Sequence, residues 1–108
     1  MGITETTDAE LRRLVRSHRK ALAMFTAVPC ATCELLQPIF EAFASNQAYA
    51  DIVFLRVNAD ENPEAKHFMN RQAAPFFVTY CHGRVVHGEA LSTEQQLRAM
   101  ANALLAHL

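Results

Sequence analysis

The sequence predicts an α/β domain in which a central mixed sheet of four strands carries helices on both faces. Three observations predict it. Short apolar runs alternate with longer stretches of helical periodicity along the 108 residues, as in a sheet built from strand–helix–strand units. Residues 21–28 and 52–57 are apolar almost without interruption, Arg56 being the main exception in the second run, as strands buried on both faces are. Finally, the run Phe76–Cys81 is followed by His82-Gly83 and a second short run, residues 84–87, which reads as a hairpin adding antiparallel pairing.

Each element has a local cause. Thr7 and Glu10 make a capping-box pattern before Leu11, Leu14, Val15 and His18, which repeat at helical spacing. The basic residues Arg12, Arg13, Arg16, Arg19 and Lys20 lie beside that stripe and read as a solvated helix face. The apolar run 21–28 is a buried strand that Pro29 ends. Cys33, Leu36, Ile39, Phe40 and Phe43 then predict a helix over residues 30–50, kinked at Pro38. After the strand 52–57, Asn62 is expected to cap a short helix over 64–72, with Pro63 at its first position. Ser92 with Gln95 suggests another capping box, opening a final helix over 92–108 whose apolar face is Leu97, Met100, Ala101, Leu104 and Leu105.

Composition limits the function. The length suits a single domain over residues 1–108. A net charge of −1 gives no reason to expect nucleic acid or an acidic membrane surface as partner. No stretch approaches the roughly 18 uninterrupted apolar residues of a membrane span. Residues 1–10 are polar and acidic, unlike a secretory signal, so a cytoplasmic location is expected. The three glycines, Gly2, Gly83 and Gly88, form no phosphate-binding loop.

The cysteines are the chemical signal. Three is an odd number for a disulfide scaffold, and two of them stand as Cys30-Ala31-Thr32-Cys33, an arrangement for chemistry more than for stapling. A lone C-x-x-C is also half of a zinc site. Its only available partners are Cys81 and His82. A metal shared between subunits and a pair of inert buried thiols are the remaining alternatives.

The joint spacing of several motifs resembles the thioredoxin family. C-x-x-C falls between a long strand and a helix, and Pro38 follows the second cysteine by five residues. Asn58-Ala59-Asp60-Glu61-Asn62-Pro63 is similar to the family's N-x-D-x-N-P segment, Gly83 follows Pro75 by eight residues, and Gly88 with Leu91-Ser92 is similar to the entry into its last helix. The resemblance implies a thioredoxin fold, a short fifth edge strand at residues 2–4, and a cis proline at Pro75. This sequence departs from the family pattern at several positions. Pro29 stands where tryptophan is usual, Ala-Thr replaces Gly-Pro, Glu34 replaces a common basic residue, and Phe76 replaces threonine. Met24 occupies the place of a buried carboxylate six residues before Cys30, and Arg56 the place of a lysine near that acid.

What the resemblance implies is thiol–disulfide exchange with protein disulfides. Cys30, at a helix N-terminus where unpaired N–H groups favour an anion, would be the attacking thiolate. Cys33 would resolve the mixed disulfide. Thr32 could donate a hydrogen bond to the Cys30 sulfur, and Glu34 would oppose thiolate formation. Pro29, Ala74, Pro75 and Phe76 would line the substrate groove. No bound cofactor or metal is needed. The partners would be a disulfide-containing protein substrate and a reductase or dithiol electron donor. A binding or assembly module with vestigial or regulatory cysteines is the second reading. Cys81, His82 and His87 are expected on the surface, Arg56 at a strand end reaching solvent, and Phe25, Phe40, Phe43, Phe54, Phe68 and Phe77 in the core.

Overall fold

The computed structural model describes residues 2–108. The elements run β1 (Ile3–Thr6), α1 (Asp8–Ser17), β2 (Lys20–Thr26), α2 (Ala31–Ala44), β3 (Ile52–Asn58), α3 (Pro63–Met69), β4 (Phe76–Cys81), β5 (Arg84–Ala90) and α4 (Glu94–Ala106), with single 3₁₀ turns at Gln47–Tyr49 and Ala59–Glu61. The sheet order is β1-β3-β2-β4-β5. β1, β3 and β2 are parallel; β4 and β5 are antiparallel. The edge strand β1 is therefore present, shifted from residues 2–4 to Ile3–Thr6.

The alternating strands divide the core between the two faces of the sheet. Leu22, Met24, Phe54 and Phe77 point toward α2 and α4, and meet Leu36, Phe40, Leu97 and Leu104. Ala21, Ala23, Phe25, Leu55, Val57 and Val78 point toward α1 and α3. Phe40 stands between Phe54 and Phe77, at ring separations of 5.3 and 5.7 Å. Each such fully buried phenylalanine is worth about 1.5–3 kcal/mol, so this triplet clamps α2 to the sheet. Among the described residues no helix is long and apolar enough to cross a membrane.

Several boundaries differ from the sequence expectation, each for a local reason. α2 stops at Ala44, well before residue 50, because the Asn46 side chain accepts a hydrogen bond from the Ala48 amide and starts a separate 3₁₀ turn. That turn buries Tyr49 against Phe43, with its hydroxyl donating to Asn102. α3 ends at Met69, since Asn70 and Arg71 both take positive φ. β5 continues past His87 to Ala90, and Gly88 lets the Phe76 ring pack closely there: a Cβ would lie 3.2 Å from it. The N-cap of α4 lies one residue later than expected, at Thr93, with Gln96 completing the capping box and the helix running Glu94–Ala106. Gln96 Oε1 accepts from both the Ser92 and the Thr93 amides, which selects this register over Ser92 with Gln95.

The caps of α1 and α3 are reciprocal. Thr7 accepts from the Glu10 amide, while the Glu10 carboxylate turns to Arg13 instead of reaching back. Asp8 of α1 accepts from the Glu64 and Ala65 amides and so caps α3. Asn62 stands at the N-cap position of α3 but accepts from the Asp8 amide and donates to the Asn58 carbonyl. The expected role of Asn62 is thus taken by Asp8. Within the basic group, Arg12 pairs with Glu64 and Arg13 with Glu10. Lys20 is no part of a solvated face: it is buried at the start of β2 and donates to the Leu105 carbonyl at 2.7 Å. Phe68, expected in the core, is 44% exposed on α3, although its ring still touches Phe25 and Phe76.

Candidate dithiol site

The site forms where β2 leaves the sheet. Its last residue is Thr26, and residues 27–29 lead to Cys30 and into α2. Residues 27 and 28, expected to continue the strand, are drawn off by Asp60, whose Oδ2 accepts from the Val28 amide at 2.7 Å. Asp60 is itself oriented by Asn58, which accepts from the Asp60 amide. The segment from Asn58 to Asn62 therefore fixes the approach to the first cysteine. This contact is not legible from spacing alone: the sequence shows Asp60 in a motif but not which amide it meets.

Cys30 is the N-cap of α2, with extended backbone angles, and its Sγ accepts from the Cys33 amide at 3.0 Å. The sulfur thus occupies the place usually filled by a Ser, Thr or Asp oxygen. Cys30 and Cys33 form a disulfide with Cα atoms 5.2 Å apart. Cys30 is half-buried and Cys33 buried. The donor to Cys30 Sγ is the Cys33 amide, and among the described residues the Thr32 hydroxyl makes no hydrogen bond to it.

β4 brings the groove residues to the same end of the sheet. Phe25 of β2 pairs with Phe76, so Ala74 and Pro75 lie beside the point where β2 departs toward Cys30. The Ala74–Pro75 and Val28–Pro29 peptide bonds are both cis. Pro75 is buried and its carbonyl accepts from the Leu91 amide, while Ala74 is half-buried and Pro29 exposed. Phe76 turns its ring inward, only 7% exposed, against Phe25 and Phe68. Its ring is turned into the core instead of out to a groove, in the cluster against which Ala74 also packs.

The departures noted in the sequence have physical positions. Met24 is completely buried on the α2 face, in register with Arg56 of β3. Arg56 does reach toward solvent, and it ends in an ion pair with Glu5 of β1. Glu5 carries no signal in the sequence, because nothing there shows which strand β1 joins. Cys81 differs from expectation: it is buried, at the far end of β4, paired with Lys20. His82 and His87 are exposed in the hairpin, His82 with positive φ before Gly83 and His87 paired with Glu89. Among the described residues no three His, Cys, Asp or Glu side chains are disposed to hold a metal ion.

Comparison with known proteins agrees with this arrangement. The Thioredoxin family model matches residues 2–104. A thioredoxin of Ictalurus punctatus is 30% identical over 72% of this chain and 73% of its own. One from Alicyclobacillus acidocaldarius is 31% identical over 74% and 75%. Among solved structures, the oxidized form of mitochondrial thioredoxin 3 from Saccharomyces cerevisiae superposes with a TM-score of 0.84 at 27% identity, covering 94% of this chain and 95% of that one. With its five-stranded sheet and its Cys30–Cys33 pair at the start of α2, the chain belongs to the thioredoxin family.

Proposed function

We propose that the protein is a thiol–disulfide oxidoreductase that acts on protein disulfides through Cys30 and Cys33. The observation that carries this reading is the position of Cys30 Sγ at the N-cap of α2, taking a hydrogen bond from the Cys33 amide. In the reduced protein the same amide and the helix N-terminus favour the thiolate at Cys30. That thiolate attacks one sulfur of a substrate disulfide, a mixed disulfide forms, and the other substrate sulfur leaves as a thiolate and takes a proton. Cys33 then attacks Cys30 Sγ. The Cys30–Cys33 bond forms, the Cys30–substrate bond breaks, and the substrate leaves with its second thiol. The two electrons thus pass to the substrate, and a reductase or another dithiol restores them.

Pro29, Ala74 and Pro75 form the walls of the groove in this reading, with Phe76 packed beneath them. An extended substrate segment would lie along the backbone at Ala74, as in strand addition. Asp60 positions Cys30 by holding the Val28 amide. Turbidity from insulin reduced by dithiothreitol tests the reading. The wild-type protein should accelerate it and Cys30→Ser should not. Equal rates with wild-type protein, Cys30→Ser and no protein would instead favour a binding or assembly module. The burial of Met24 where a proton acceptor would assist Cys33 is the feature that favours that second reading.

A further inference from the structure

The two edges of the sheet differ. β1 has four residues, and its Glu5 is tied to Arg56 of β3. β5 has seven residues, with no proline or lysine, and every residue from Arg84 to Glu89 is exposed. No helix therefore covers either face of β5, and among the described residues no strand pairs with its outer side. An open strand of this length is a template for further pairing. Two contacts fix which backbone groups face outward. The His87 carbonyl accepts from the Thr79 hydroxyl, and the Leu91 amide donates to the Pro75 carbonyl. Residues 87, 89 and 91 thus turn their N–H and C=O groups toward β4, and the alternate residues, Gly88 and Ala90, turn theirs away. The ladder with β4 keeps one register from His87 to Ala90 and shifts at Val86, which opposes no residue of β4. Gly88 lies within that regular stretch, flanked by His87 and Glu89. Glu89 lies opposite Phe77, on the α2–α4 side of the sheet, and His87 shares its face, with Nε2 3.0 Å from Glu89 Oε1.

We infer that the outer edge of β5 pairs antiparallel with β5 of a second copy of this chain, about a two-fold axis at Gly88. The segment is complementary to itself. The axis sets Gly88 opposite the partner's Gly88, where each amide donates to the other's carbonyl. It sets His87 opposite the partner's Glu89, and Glu89 opposite the partner's His87. These are the pairs between ladder hydrogen bonds, whose side chains stand closest. Val86, 38% exposed in the single chain, meets the partner's Ala90. An axis moved to His87 or to Glu89 would instead set two like residues against each other, so the charges select the axis at Gly88. β4 separates β5 from β2, whose end leads to Cys30, so both dithiols stay open in the pair. The paired stretch is far shorter than a standard interface provides, so association is weak and depends on concentration.

Sedimentation in reducing buffer from about 20 μM to 2 mM tests this. The mass should rise from one chain toward two across the range. Exchange of the Gly88 amide, followed by NMR, should slow by at least about threefold as it does so. His87→Glu sets two acids opposite each other, and Glu89→Lys sets a lysine opposite His87. Each alone should weaken association by about tenfold or more. An equimolar mixture of the two variants should associate again. In it the introduced acid faces the introduced lysine, while the remaining Glu89 faces the remaining His87. Recovery in the mixture also shows that neither variant fails by misfolding. A single chain throughout the range would overturn the inference and leave the edge to an extended segment of another protein. So would association that His87→Glu leaves unchanged, or a mixture no stronger than its components.

Discussion

The two ends of the β2–β4 pair carry cysteines in opposite settings. At one end, past the Phe25–Phe76 pairing, Cys30 caps the N-terminus of α2 and shares a disulfide with Cys33. At the other, Cys81 pairs with Lys20 inside the sheet, beside the C-terminal turn of α4, whose Leu105 carbonyl takes the Lys20 ammonium. A helix N-terminus presents N–H donors that stabilise a thiolate; a helix C-terminus presents carbonyls that do not. The same residue type therefore meets helix N–H donors at one end and helix carbonyls at the other, and what separates the two settings is which helix end the topology brings there.

The largest effect that could break this contrast is on activity. Cys30→Ser should lower disulfide exchange by at least about 100-fold, since it removes the attacking sulfur, whereas Cys81→Ser should leave the rate within about twofold and cost roughly 1 kcal/mol in stability by placing a hydroxyl in a buried site. Comparable losses of activity from both would erase the distinction. Insulin reduction and urea denaturation read the two quantities.

The next effect lies at the Cys81 end. Burial pushes the Tyr80 phenol from its ordinary value of 10.0 up to about 12. An acid whose folded pKa is raised loses stability as pH rises, because between pH 10 and 12 the unfolded chain gives up a proton that the folded one keeps. Stability should be intact below pH 10 and fall by about 2–3 kcal/mol at most by pH 12. Tyr80→Phe should remove that part of the slope, as measured by urea unfolding of both proteins across the range. Equal slopes would show that Tyr80 does not hold its proton in the folded protein.

Lys20→Met comes next. It leaves the part-buried Leu105 carbonyl without its donor, at a cost of about 1–2 kcal/mol, and should leave insulin reduction unchanged. A loss of activity in step with stability would mean that the two ends are coupled. The smallest effect sharpens the reactive end: Asp60→Ala frees the Val28 amide, and should slow exchange by about threefold to tenfold while costing roughly 1 kcal/mol.

The order of elements, the hairpin and the pairing of Cys30 with Cys33 were legible because each has a local signal: apolar runs, turn residues and a two-residue spacer. What was not legible depends on contacts between distant residues. The 3₁₀ turn after α2 follows from the Asn46 side chain competing for a local amide, a choice that a helical periodicity hides. Asp8 displaces Asn62 as the cap of α3 because β1 and α1 place it there, across 57 residues of chain from Ala65. The burial of Lys20 needs the C-terminus of α4, and the pairing of Arg56 with Glu5 needs the register of β1. At the site, the two sulfurs could be read, while the contacts made around them, Asp60 with the Val28 amide and Glu5 with Arg56, could not. Those two act through strands and turns that only the folded topology brings together.

The central claim is that Cys30, and not Cys81, is the attacking thiol. Trapping with the Cys33→Ser protein tests it most directly: the reduced variant is mixed with a peptide disulfide, quenched with acid, and mapped by mass spectrometry after digestion. A mixed disulfide on Cys30, with Cys81 unmodified, is the predicted result. An adduct on Cys81, or none at Cys30, would contradict it.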